Sequence, residues 1–141
     1  MEEHRVLLQL ALIRVNSKMG RALKKHLEQF NISGAEYGII RNLGEAALTL
    51  SELSQRLLRV NSNTTAMIDG LERKGLVERI RDGEDRRVIR VKLTAAGLKL
   101  RDKVVPLHND YIAKLLAPLS DGEVMNLLEL LETVEAICDH E

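Results

Sequence analysis

Between Leu76 and Leu93 the chain changes period, and that change restricts the fold more than any other feature of the sequence. Leu76-Val77-Glu78-Arg79-Ile80-Arg81 and Val88-Ile89-Arg90-Val91-Lys92-Leu93 are rich in Val and Ile and read as strands. The six residues between them, Asp82-Gly83-Glu84-Asp85-Arg86-Arg87, are polar and turn-forming. Two strands around such a tip form a β-hairpin. The rest of the chain carries its apolar residues at helical spacing, so the expected fold is mostly α with a small β-hairpin wing.

The helices follow from their start and stop signals. Val6 to Phe30 reads as a helix whose apolar residues cover more than one face, as in a helix that packs on two sides. Ser33-Gly34-Ala35-Glu36 fits a capping box, with Gly44 as a left-handed stop. Thr49-Leu50-Ser51-Glu52 fits a second box and opens a short helix bearing Leu50, Leu53, Leu57 and Leu58. An interruption at Arg59 to Asn63 precedes a helix from about Asn63 to Lys74, capped by Asn61 or Ser62 and closed by Gly75. Two short helices joined by a tight turn are a helix-turn-helix signature. Thr94 caps a long helix to about Leu116, in which Pro106 should introduce a kink. Ser120-Asp121-Gly122-Glu123 opens the last helix, with Val124, Leu127, Leu128, Leu131, Val134 and Cys138 on one face.

Composition agrees with packed helices. The chain has 141 residues, a size for one domain, and 25 leucines stand against three aromatics, Phe30, Tyr37 and Tyr111. Cys138 is the one cysteine, which excludes a disulfide scaffold, suits a reducing cytoplasm and is expected to be a buried thiol. The acidic start and the interrupted apolar run Val6 to Val15 match neither an export signal nor a membrane span. Net charge is zero, but its distribution is uneven. Arg56 to Lys92 holds ten Lys/Arg against six Asp/Glu, whereas Ser120 to Glu141 holds seven Asp/Glu and no Lys/Arg. One surface is therefore suited to a polyanion and another is not. No P-loop, dinucleotide motif, His-Glu-x-x-His or Cys-x-x-Cys is present, so no enzyme, cofactor or metal is expected. His4, His26, His108 and His140 are scattered, and only a dimer could bring His4 and His140 together around a metal. Tyr37 and Tyr111 read as core aromatics.

Three stretches in fixed order carry a family resemblance: Met67-Ile68-Asp69-Gly70-Leu71-Glu72-Arg73-Lys74-Gly75-Leu76-Val77, the Asp85-Arg86-Arg87 tip, and Leu93-Thr94-Ala95-Ala96-Gly97. Together they resemble the MarR family of bacterial and archaeal transcriptional regulators across nearly the whole chain. The resemblance implies one domain over 1–141, with a winged helix-turn-helix lobe at 33–93 and a helical dimerisation region at 1–30 and 95–141. It further implies an intertwined homodimer, a cytoplasmic repressor of nearby genes and release from DNA by a small effector, which the family binds in a cleft that Tyr37 or Tyr111 could line. Family members commonly carry basic residues where Ala66 and Gly70 stand here, and the peroxide-sensing branch has a first-helix cysteine that this chain lacks.

In the helix-turn-helix context, Ser62, Asn63, Thr64 and Thr65 are expected at base edges in the major groove, Thr64 being the one most inclined to face the core. Arg86 and Arg87 are expected in the minor groove, whose narrow form attracts Arg. Asp85 would orient one guanidinium, and the resemblance makes Arg87 its partner. Arg73 is expected on phosphate, with Lys74, Arg79, Arg81 and Arg90 as further candidates. The expected partners are a second copy of the chain, double-stranded DNA with a pseudo-palindromic operator, and a small effector. The alternative reading is a winged-helix interaction module that does not bind DNA.

Overall fold

The computed structural model describes residues 1–57 and 61–140, with the side chains of Asn61 and Ser62 outside the description. The elements run α1 (Glu2–Glu28), α2 (Gly34–Asn42), β1 (Leu48–Thr49), α3 (Leu50–Leu57), α4 (Asn61–Arg73), β2 (Val77–Arg81), β3 (Ile89–Leu93), α5 (Ala95–Leu115) and α6 (Asp121–Asp139). They group into two compact units, Met1–His108 and Asn109–Glu141. The interruption expected at Arg59 and Val60 and the apolar role of Leu58 lie outside the described residues, whereas α4 begins at Asn61, so that Asn61, Ser62 and Asn63 belong to the helix and not to the expected interruption.

Helix ends explain most of the first unit's path. Ser33 Oγ accepts from the Glu36 N–H while Glu36 Oε1 accepts from the Ser33 N–H, each at 3.0 Å, so the first capping box is complete. Thr49 makes only the forward half of its box, accepting from the Glu52 N–H at 3.1 Å. The Glu52 carboxylate lies instead 3.6 Å from Arg90 on the sheet. Gly75 ends α4 at φ 74°, with its own N–H and that of Leu76 bonding back to Glu72 and Leu71. Gly44 is not the left-handed stop expected of it, since Leu43 leaves α2 in extended conformation. The second left-handed residue is Asn31 (φ 56°), where the chain turns out of α1, and Asn tolerates that region better than most side chains.

The hairpin is antiparallel, Val77 facing Leu93 and Arg81 facing Ile89. A strand not anticipated from the sequence, β1, pairs with the other edge of β3 through Leu48–Val91 and Thr49–Arg90, giving the order β1-β3-β2. Behind this sheet the core joins Leu27, Ile39, Ile40, Leu43, Leu53, Ile68, Leu71, Val77, Val91 and Val104, each at most 2% exposed. Gly97 closes the junction of hairpin and α5. A Cβ there would overlap the Leu76 carbonyl and press on Leu93, so only glycine fits. Thr94 secures the same corner: its hydroxyl donates to the Gly75 carbonyl at 2.7 Å and accepts from the Gly97 N–H at 3.1 Å.

α5 is assigned as helix from end to end with Pro106 inside it. In the second unit Ser120 and Glu123 form a complete capping box for α6. α6 buries none of its residues, and Cys138, expected to be buried, is exposed. The reason is that a broadly apolar helix needs a second surface, which this single chain does not provide to α6. No helix among the described residues is long and apolar enough to cross a membrane.

Candidate nucleic-acid interface

At 100° per residue, α4 presents three stripes. Thr64, Ile68 and Leu71 lie on the first and are buried, with Met67 half-buried beside them. Thr64 is 1% exposed and faces the core, so it leaves the expected set of base-reading residues. A small β-branched residue can fill the space between α4 and the core, and here its hydroxyl has no route to a groove. Asn63, Ala66, Gly70 and Arg73 form the outer stripe, with Asn63, Ala66 and Arg73 exposed. Thr65, Asp69 and Glu72 form the third stripe, toward β2. Thr65 is exposed but stands on this side rather than among the outer residues. The side chain of Ser62 lies outside the described residues.

Gly70 gives the outer stripe a specific shape. A Cβ there would stand 3.9 Å from Arg73 Nη2, so the Arg73 guanidinium lies back over the glycine, one turn nearer the start of α4. The basic group absent at position 70 is in part replaced from below. Among the described residues no carboxylate lies within ion-pair distance of Arg73 or of Arg86.

The wing tip is ordered by its own side chains. Asp85 accepts from the Arg87 backbone N–H at 3.0 Å, from its Nε at 3.1 Å and from its Nη2 at 3.3 Å, so the expected Asp85–Arg87 pairing is present and bidentate. Those Arg87 bonds, side chain first and then backbone, hold the Asp85 carboxyl below the ordinary range. Asp82 accepts from the Glu84 N–H and Val88 bonds back to Asp85, completing the turn. Arg81 donates to the Arg86 carbonyl at 2.7 Å, bracing the tip against β2 while leaving the Arg86 guanidinium outward.

The remaining cations have structural partners. Lys74 bonds Glu36 at 3.0 Å and the Asn31 carbonyl at 2.9 Å, tying the end of α4 to the start of α2. Burial alone would raise the Glu36 pKa, but bonds from Ser33 and Lys74 outweigh it and hold the carboxyl low. Arg90 lies between Asp82 and Glu52. Arg79 binds both Asp69, at 2.6 Å, and Glu72, at 3.1 Å. Lys74, Arg79 and Arg90, candidates for phosphate contact, are thus each engaged by carboxylates. A cation in a basic stretch resembles a phosphate ligand until its acidic neighbours in space are known.

A second cluster was not read from the sequence. His26 Nδ1 on α1 lies 2.9 Å from His108 Nδ1 on α5, although 82 residues separate them. Tyr37 meets the His108 ring edge-on with centroids 4.5 Å apart, and Phe30 meets His26 at 5.7 Å. His108 is buried; burial first, then the nearby His26 and Arg41, push its pKa below the ordinary histidine value. The Tyr37 hydroxyl and Arg101 Nε are buried with no hydrogen-bond partner among the described residues.

Comparison with known proteins matches this architecture. The profile of the MarR family covers residues 30–88, from the end of α1 to the wing. The transcriptional regulator PecS of Dickeya dadantii is 32% identical over 128 residues, covering 88% of this chain and 77% of PecS. A cysteine-to-serine variant of E. coli MarR, solved in complex with operator DNA, superposes with a TM-score of 0.83 at 30% identity, covering 95% of this chain and 97% of that one. AbsC of Streptomyces coelicolor, at 23% identity, shares the fold with a TM-score of 0.87, over 100% of this chain and 97% of its own. These relatives are regulators of transcription rather than enzymes. A winged helix-turn-helix with this wing and this corner, and a relative this similar over most of both chains, place the protein in the MarR family of transcriptional regulators.

Proposed function

We propose that the protein is a homodimeric, sequence-specific DNA-binding repressor that a small effector releases from its operator. The observation that carries DNA binding is the arrangement of charge around α4. Its two acidic side chains, Asp69 and Glu72, are turned to Arg79, while the outer stripe ends in Arg73 and the wing tip beyond carries Arg86 and Arg87. Asn63 reads base edges at the start of that stripe, Ala66 meets a thymine methyl, and Thr65 contacts the backbone beside them. Arg73 contacts phosphate, and Arg86 and Arg87 enter the neighbouring minor groove. The E. coli relative solved with operator DNA supports the reading, and a Bacillus subtilis relative at 28% identity, named the transcriptional repressor YetL, supports repression.

Dimerisation is supported by the apolar surface that the single chain leaves open. Val6, Leu7, Leu8, Leu10, Ile13 and Val15 on α1 are 42–55% exposed, and Met125, Leu127, Leu128, Leu130, Leu131 and Ile137 on α6 are 38–60% exposed. Patches of this kind on a small chain mark an interface. Twofold symmetry then requires a pseudo-palindromic operator with half-sites about one helical turn apart. An effector site beside Tyr37 and Arg101 is supported by the buried Tyr37 hydroxyl and Arg101 Nε, which have no hydrogen-bond partner among the described residues. Selection of genomic fragments by the purified protein, followed by mobility shifts on the recovered site, tests the reading. Recovery of a two-fold-related site near the protein's own gene is expected, and retention of no DNA at low salt would refute it.

A further inference from the structure

Arg79 makes more contacts to α4 than any reading of it as surface charge accounts for. It stands on β2, with its side chain 22% exposed. Its Nη2 donates to Asp69 Oδ1 at 2.6 Å and reaches the Thr65 carbonyl at 3.5 Å, and its Nη1 donates to Glu72 Oε1 at 3.1 Å. Its backbone N–H donates to the other Glu72 oxygen at 3.2 Å. Thr65, Asp69 and Glu72 are spaced four and three apart, so one planar guanidinium grips two turns of the helix along a single stripe. That stripe is about a third of a turn round the helix from the outer residues Asn63, Ala66, Gly70 and Arg73.

The core holds α4 through its buried face, Thr64, Ile68 and Leu71 with Met67 beside them. Apolar packing is non-directional and permits small rotations about the helix axis. A forked set of charge-assisted bonds at one side does not. The strand that carries Arg79 also leads into the wing tip, and Arg81, two residues on, holds the Arg86 carbonyl at 2.7 Å. The rotation of α4 and the place of the wing are therefore referred to the same strand.

We infer that Arg79, with Asp69 and Glu72, is a positioning residue for DNA specificity: it sets the rotation of α4 relative to the wing, so that base-edge and minor-groove contacts are made in register, without touching DNA itself. The inference rests on the DNA-binding reading above. It also gives the two acidic residues of α4 a role opposite to their charge. By electrostatics alone, removing a carboxylate near a DNA-facing helix tightens binding to every sequence. By the clasp, removing it weakens binding to the operator and not to random DNA.

The test compares full-length wild type, Asp69→Ala, Arg79→Met, Arg79→Lys and the double variant Asp69→Ala/Arg79→Met. Each is measured on the selected operator and on random DNA of equal length, across a range of salt. Arg79→Met keeps the aliphatic stem, and circular dichroism and dimer mass establish that each variant is folded. Asp69→Ala and Arg79→Met are each expected to lower the operator-to-random affinity ratio about tenfold, with the salt slope unchanged. The double variant is expected to be no worse than Arg79→Met, because the Asp69 bond is already lost in that variant. Arg79→Lys, a single point donor, should recover only part of the ratio. Tighter binding of Asp69→Ala to both DNAs overturns the inference. So does a slope reduced by about two in Arg79→Met, which would make Arg79 a phosphate contact in each half of the dimer. A lower melting temperature with an unchanged ratio overturns it as well, since the clasp would then serve stability alone. Wild type that binds no DNA defeats the functional reading and this inference with it, whereas wild type that discriminates while the variants discriminate equally defeats this inference only.

Discussion

Replacing both wing-tip arginines, Arg86→Ala with Arg87→Ala, should weaken operator binding and flatten its salt dependence while leaving the fold intact. The Arg87 side chain is 91% exposed, and Arg86 has no carboxylate within ion-pair distance among the described residues, so neither supports the core. In a dimer the double variant removes two charges from each half. If all four displace counterions on binding, the slope of log affinity against log salt falls by about 3.6, at about 0.9 per charge. Asp85 is bonded to Arg87 and offsets part of its charge. If the offset is complete, only the Arg86 pair counts and the loss is about 1.8. Over a roughly fourfold rise in salt, those slopes make the variant's affinity fall by about 150-fold or about 12-fold less than wild type's. Fluorescence anisotropy on the selected operator at several salt concentrations reads the slope directly. Asp85→Ala should give a milder loss, because the arginines keep their charge and lose an orienting partner. The loss should be greatest on sites with A·T-rich flanks, where the minor groove is narrow. Parallel lines of equal slope and similar affinity would refute the placement of the wing in the groove, even for a protein that binds DNA.

Asn63→Ala should alter which operator bases are tolerated and cost about 1–3 kcal/mol on the preferred site, with binding to random DNA unchanged; an equal loss on both DNAs would exclude base readout. Leu10→Glu with Leu131→Glu places charge on the two exposed apolar helices and should abolish dimerisation and folding together. Sedimentation of wild type as a stable monomer at micromolar concentration would count against the interface. His108 titrates below the ordinary histidine value in the folded chain, so the unfolded chain takes up its proton first as pH falls. Stability attributable to this group is complete above about pH 6.5 and declines as pH drops toward the lowered value. Thermal melts over that window should show the decline in wild type and a flatter profile in His108→Asn; equal profiles would remove His108 as its source.

What was legible in the sequence is what depends on neighbours along the chain. Ser33 with Glu36 and Ser120 with Glu123 close their boxes three residues apart, and Gly75 ends α4 where its left-handed conformation is needed. The hairpin shows because the period changes and its turn is local. What was not legible depends on distant partners. β1 is two residues long, too short for a pattern, and exists because β3 offers a free edge. His26 and His108 meet only because the fold brings one point of α1 to one point of α5. Thr64 could be placed only by the orientation of α4, since capping, core packing and base contact all suit threonine. The exposure of Cys138 follows from counting an apolar face as buried in the single chain when its cover has to come from elsewhere. For Arg79 a signal did exist. Asp69 and Glu72 are three apart on a helix, and an arginine follows shortly after the glycine that turns the chain back on them.

A net charge of zero is no obstacle to a polyanion-binding surface, because all the acids of the winged lobe but Glu45 and Glu84 pair with cations of the lobe itself. Asp69 and Glu72 are held by Arg79, Glu36 by Lys74, Glu78 by Lys92, and Glu52 and Asp82 by Arg90. Two other arginines are fixed by backbone carbonyls and so keep their charge: Arg56 on that of Asn42 and Arg81 on that of Arg86. At α4 and the wing the charges without an opposite partner among the described residues are then Arg73, Arg81 and Arg86, opposed at the tip by Glu84. The residues that balance the total are concentrated in α6, which has no basic residue and lies in the other compact unit. The local arrangement, and not the sum, therefore governs the encounter with DNA. The same arrangement explains why acids can stand on the recognition helix at all: each is paired with the arginine that holds the helix in place.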